Sequence, residues 1–213
     1  MFLFSLQQKL ILLSRQKALR FIFNSFPTQP PSNLAGKLKI HLVAGDVFIP
    51  GYINVDARDL PNIHLSKDNL LLDEFSDESI GEIYACHVLE HISHLELDGL
   101  LSHFRKKLCN GGVIRLSVPD FEALAQAYVT GGKDLQPIYR ALMGGQEYKT
   151  NFHYSVFDKR FLSELLERNG FNDIRAWNTK DVFGGSIGDW SDQTIPYSGC
   201  PIHVSLNIEA RKS

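Results

Sequence analysis

The sequence is poor in cysteine: Cys86, Cys109 and Cys200 are the only three in 213 residues. Thiols so few and so scattered exclude a disulfide framework or a cysteine-rich zinc site, and fit a reducing, cytoplasmic setting. Long apolar runs are missing too. The stretch MFLFSLQQKLILLSRQKALRFIF at the start is broken by charge well short of the roughly 18–20 residues that cross a bilayer. Its positive charge follows the apolar part, the reverse of a secretory signal. There is no basic excess, the formal net charge being −2, which argues against a protein whose main work is gripping nucleic-acid phosphates. Low complexity and internal repeats are also absent. With 44% hydrophobic residues, 22% charged, 16 Gly and 9 Pro, the chain reads as one globular domain with an appendage.

Acid is missing from one segment in particular. Lys9, Arg15, Lys17, Arg20, Lys37 and Lys39 all precede Asp46, the first acidic residue. Leu3, Leu6, Leu10 and Leu13 recur there at helical spacing, giving one apolar face on a basic helix. Residues 1–36 are therefore expected to be an amphipathic helical arm that ends in the linker SFPTQPPSNLAG, ahead of a domain at 37–213. The apolar face has three outlets: packing on the domain, resting on the inner face of an anionic membrane, or self-association.

The domain alternates strand and helix signals. Strands are expected at 38–43, 53–55, 63–65, 82–86, 113–118, 174–177 and 203–210. Helices are expected at 96–108, 121–128, 135–143 and 158–169, with Gly111 and Gly112 stopping the first and Gly170 the last. This alternation predicts an α/β three-layer sheet. An open parallel sheet binds ligands beyond the carboxyl ends of its strands. Gly45 and Asp46, Asp56, Asp68, His87 and Asp120 stand at those ends. Asp56 is placed to accept two hydrogen bonds from a ribose diol or to cap a turn. Asp68, in KDNLL, has an adenine amino group or a helix N-cap open to it. Asp46 is a turn residue or a ligand contact.

The strings KIHLVAGDVFIPGYINVD, DESIGEIYACHVLEHI, LCNGGVIRLSVPDFEAL, NFHYSVFDKRFLSELL and FLSELLERNGFNDIRAW, in that order, resemble class I S-adenosylmethionine-dependent methyltransferases. The nearest type is the small bacterial one found among glycan and cell-surface biosynthesis genes. The resemblance covers the chain without its arm. It implies a Rossmann-like three-layer sandwich whose seven-stranded, mostly parallel sheet ends in an antiparallel strand. It also implies methyl transfer to a small-molecule or glycan hydroxyl. Ala44, Gly45 and Asp46 would line the methionine part of the cofactor and Asp56 would hold the ribose. Asp68, Asn69 and Leu70 would border the adenine, and Cys86 and His87 would sit under the sulfonium. The family's first turn glycine is replaced by Val43, which is ill suited to a positive φ.

A hydroxyl acceptor profits from a general base. His87, Asp120 and His153 are the candidates. Two rival functions stand beside this one. With Val43 in the glycine turn, the domain could be a catalytically silent binding module. HVLEH, His87 to His91, matches an inverted zinc-peptidase motif, with His94 as a further nitrogen. A strand running straight into His87 is the wrong setting for that motif, so no metal is assigned. Residues 184–201 form a long Gly/Ser/aromatic insertion, in which Trp190 and Tyr197 are able to stack on a sugar face.

Overall fold

The computed structural model describes residues 37–148 and 150–213; the expected arm at 1–36 lies outside them. Among the described residues, nine strands and five α-helices follow in chain order. They are β1 Leu38–Leu42, β2 Ile53–Asp56, β3 Leu65–Ser66, β4 Ile80–Cys86, α1 Leu97–Lys107, β5 Leu108–Pro119, α2 Phe121–Thr130, α3 Gln136–Met143, α4 Lys159–Arg168, β6 Phe171–Ala176, α5 Thr179–Phe183, β7 Thr194–Tyr197, β8 Cys200–His203 and β9 Ser205–Lys212. Short 3-10 turns occur at Leu89–His91 and Trp190–Asp192. Among the described residues, no helix is long and apolar enough to cross a membrane.

The main sheet has the order β3-β2-β1-β4-β5-β9-β6. The β1, β2, β3, β4 and β5 pairings are parallel, and β9 runs antiparallel to both β5 and β6. This is the seven-stranded, mostly parallel sheet expected, with the antiparallel strand last in sequence. Alternation builds one face of it. Ile40 and Leu42, Ile83 and Ala85, and Ile114 and Leu116 turn inward on Leu97, Leu101 and Phe104 of α1 and Leu162, Leu165 and Leu166 of α4. Burying such side chains contributes roughly 1.5–3 kcal/mol each.

The other face is of a different character. It carries His41, Tyr84, Glu82, Arg115 and Glu209, covered by Ile49, Tyr52, Trp177 and Phe183. Arg115 pairs with Glu82, and its Nε lies 2.7 Å from Glu209, which also takes Arg175 Nε at 2.6 Å. Tyr52 donates its hydroxyl proton to Glu82. So a loop and a short helix close over β1 where a first crossover helix would have lain.

Boundaries moved in several places: β4 begins two residues earlier than expected, β6 three earlier and β9 two later. The sequence stops α1 at the glycine pair, whereas Leu108 already takes the extended conformation and opens β5. Gly111 and Gly112 lie inside that strand, where Ile80↔Leu108 and Glu82↔Val113 put five β5 positions against two of β4. Gly111 supplies the φ of 73° that such a bulge uses. The third strand begins two residues later than expected and is only Leu65–Ser66, facing Val55 and Asp56. Part of the 184–201 insertion becomes the turn at Trp190 and most of the β7–β8 hairpin.

Candidate active site

β2, β1 and β4 end side by side, and the loops that leave them carry the candidate residues. Val43 leaves β1 at φ 51° and Gly45 follows at φ 57°. Asp56, at the end of β2, is almost fully buried. Its Oδ2 accepts from Gly45 N at 2.8 Å, and its Oδ1 from Arg58 N at 2.8 Å and Arg58 Nε at 3.2 Å. A Cβ on Gly45 would stand 2.9 Å from Arg58 Nη2. The Arg58 guanidinium therefore spans the gap between the acidic strand end and the glycine turn. Asn62, also buried, holds the turn from beneath by donating to Gly45 O at 3.0 Å and Val47 O at 3.1 Å. Asp46 is exposed and Ala44 buried. Asp68 and Asn69 are exposed in the bend after β3, where Asn69 Oδ1 accepts from Leu71 N at 3.0 Å. Leu70 packs against the main core.

β4 leaves by the same device. Cys86 is its last residue, and burial pushes its thiol well up. His87 follows at φ 52°. Ser205 Oγ donates to Trp190 O at 2.6 Å, so at 2.8 Å it accepts from His87 Nε2. The other His87 nitrogen, Nδ1, lies 3.2 Å from Glu90 Oε1. Both nitrogens are thus turned to the scaffold, while Trp190, half exposed, lies 5.9 Å away ring to ring. Asp120 Oδ1 accepts from Glu122 N at 3.0 Å and Ala123 N at 3.3 Å, capping α2.

A third group gathers beside the turn at Leu89–His91. The 151–157 segment is fastened there by Tyr154 N and Ser155 N, which donate to Glu90 O at 2.7 and 3.1 Å, and by Ser155 Oγ, which donates to Ile92 O at 2.6 Å. Gly144, at the end of α3, lets the chain leading into the segment fold back on its own start: a Cβ there would stand 2.4 Å from Asn151 O. His153 and His91 rings meet edge to face at 4.8 Å. Burial holds His153 below the usual imidazole range. The Glu90 carboxyl is fully buried, which pushes its pKa up, but the neighbouring His87 and His91 outweigh burial and keep it below the ordinary range.

Of the sequence-predicted residues, the structure brings Gly45 and Asp56 into direct contact and sets His87 at the end of β4. His153 joins Glu90 and His91, and Glu90 also stands 3.2 Å from His87 Nδ1; Asp120 is engaged at its helix cap. Sequence reasoning missed Arg58, Asn62 and Ser205. Arg58 stands two residues beyond a strand-end aspartate, the position from which a side chain can fold back on the carboxylate, and that was the one signal available.

No protein-family model matches the sequence, and no curated protein matches it. Solved structures do. A SAM-dependent methyltransferase from Archaeoglobus fulgidus is 15% identical, with 94% of each chain covered and a TM-score of 0.53. A SAM-dependent methyltransferase from Thermotoga maritima is 13% identical, with 94% of this chain and 97% of the other covered and a TM-score of 0.53. The described domain has the Rossmann-like fold of these methyltransferases.

Proposed function

We propose that the protein is an S-adenosylmethionine-dependent methyltransferase acting on a small-molecule hydroxyl, with a glycan hydroxyl as the first acceptor to test. The observation that carries this reading is the contact between Asp56 at the end of β2 and the Gly45 turn at the end of β1. The residues fit the cofactor: a buried carboxylate faces a glycine cradle, and what lies between is the far end of one half-exposed arginine.

When bound, the cofactor supplies a methyl group already activated by its sulfonium. Positioning then contributes much of the rate, up to ~7–11 kcal/mol in favourable systems. Asp56 would accept the two ribose hydroxyls once Arg58 swings out, and Gly45 lets the ligand approach the backbone. His87, held by Ser205 with Glu90 beside its other nitrogen, forms the wall at the end of β4. The acceptor would enter beside His153, Tyr154 and Trp190; Tyr154 and Trp190 are exposed aromatics suited to a sugar face.

Titration of the full chain with S-adenosylhomocysteine tests the reading. Binding is expected, and Asp56→Ala should weaken it by ~10- to 150-fold, since hydrogen bonds to a charged group are worth roughly 1.5–3 kcal/mol. Affinity unchanged in that variant would overturn the assignment. The second reading, a silent binding module, is favoured by Arg58 lying over the Gly45 turn and by Val43 in place of glycine. No heat and no thermal shift at millimolar ligand would select it.

A further inference from the structure

We propose that Glu90, His91 and His153 bind one divalent first-row transition-metal cation on the acceptor side of the site. One donor atom from each of the three lies within 4.8 Å of the others. Bonds of ~2.1 Å place donors no more than ~4.2 Å apart across a cation, so the set closes on one by moving about half an ångström.

The chemistry of the three side chains points the same way. His91 Nδ1 lies 3.1 Å from Phe152 O, and His153 Nδ1 lies 3.1 Å from Ala141 O. A carbonyl oxygen only accepts, so both rings carry their proton on Nδ1 and keep a lone pair on Nε2. This is the outer hydrogen bond that sets the tautomer of a metal-bound imidazole. Glu90 provides the independent observation. Glu90 is fully buried, yet neither carboxylate oxygen has a hydrogen-bond partner. His87 Nδ1 stands 3.2 Å from Oε1 without hydrogen-bond alignment. Buried carboxylates are found paired or on a metal; this one has the His87 ring beside Oε1 but no hydrogen bond on either oxygen.

Two imidazoles and one carboxylate suit Mn2+, Fe2+, Co2+ or Zn2+ and leave coordination positions open. An acceptor carrying a hydroxyl, or two neighbouring hydroxyls, would fill them. Only that last step rests on the methyltransferase reading; cation binding does not. The motif HVLEH thus contributes its glutamate and second histidine, with His153 supplied by a distant loop.

The test is calorimetric titration of the chelator-stripped full chain with Mn2+, Co2+ and Zn2+, with the visible spectrum of the Co2+ form as a second readout. One cation per chain is expected. Glu90→Gln and His153→Ala should each weaken binding by at least ~100-fold, the upper end of what outer-shell changes cost. His94→Ala, an exposed histidine outside the group, should bind as the parent does. Circular dichroism of each variant separates lost binding from lost folding; if Glu90→Gln unfolds, His153→Ala and His91→Ala decide. No binding at 1 mM cation, unchanged binding in folded His153→Ala, or loss in His94→Ala would overturn the proposal. S-adenosylhomocysteine titrated separately reports the cofactor reading by itself. Cation binding without it sinks that reading alone, and its binding without the cation sinks this one alone.

Discussion

At the scale of single residues, Val43 and Arg58 govern access to the Gly45 turn. Val43 holds φ 51° with a β-branched side chain that is 43% exposed. A left-handed L-residue costs roughly 1–2 kcal/mol, and little apolar burial offsets it here. Val43→Gly removes the strain and gives back some of the gain through a freer unfolded chain, about 0.4–1 kcal/mol. Its urea midpoint should therefore equal or exceed the parent's, with tighter S-adenosylhomocysteine binding. A loss of more than about 1 kcal/mol would mean that the turn depends on the valine. Arg58 pairs a half-exposed guanidinium with the buried Asp56 carboxylate, which keeps its hydrogen bonds from Gly45 N and Arg58 N when the guanidinium is removed. Arg58→Ala should leave stability nearly unchanged and raise ligand affinity several-fold, because the ligand no longer competes with the guanidinium. Weaker binding in that variant would make Arg58 a ligand contact instead of a gate. Asp56 was legible as a strand-end acceptor, with a ribose diol or a turn cap open to it, and it accepts from the Gly45 and Arg58 amides. Arg58 was not, since nothing in one sequence separates a solvated arginine from one folded back on a strand end.

At the scale of elements, capping explains both what was legible and what was not. α4 was readable at both ends: Asp158 Oδ1 accepts from Phe161 N at 2.7 Å, and Gly170 follows the last turn at φ 79°. Removing such a cap costs ~1 kcal/mol, so Asp158→Ala should shift thermal unfolding by that amount. The start of β5 was misread because a glycine pair after a basic helix end looks like a stop, and only pairing with β4 makes it a bulge. Asp120 lies on the same line between cap and chemistry. Asparagine caps as well as aspartate, so Asp120→Asn preserves α2. Turnover in Asp120→Asn is expected within about two-fold of the parent, because the carboxylate is occupied by the Glu122 and Ala123 amides. A fall of 100-fold or more in a folded variant would return the base to Asp120. The histidine group could not be read from spacing, since His153 is joined to Glu90 and His91 through backbone contacts of a loop some sixty residues away.

At the scale of the whole molecule, the polar face of the sheet sets how the fold answers acid. His41 is buried beneath the Tyr84 ring at 5.2 Å. Burial lowers its pKa to about 4, against smaller upward pulls from Asp189, Asn54 and Asp56. Unfolded, the same imidazole titrates near 6.5. Between these values the unfolded chain holds a proton that the native state refuses, so stability falls as pH falls from about 6.5 toward 4. The full loss is ~3 kcal/mol, from 1.36 kcal/mol per unit, a large share of the roughly 5–15 kcal/mol of an ordinary domain. Burial lowers His103 and His153 as well, adding to the same window with the same sign. Glu82 is held below the carboxylate range by Tyr52, Arg115 and Lys39 in spite of its burial, and Glu90 by its histidines. Their stabilisation is lost only below about 4.5, so pH 7 to 5 isolates the imidazoles. Urea unfolding should give a midpoint that drops steadily across that interval, and His41→Gln, relieved of the buried imidazole, should flatten the drop by ~2 kcal/mol at pH 5. A slope unchanged in His41→Gln would place the acid sensitivity in the other two histidines and deny His41 its part.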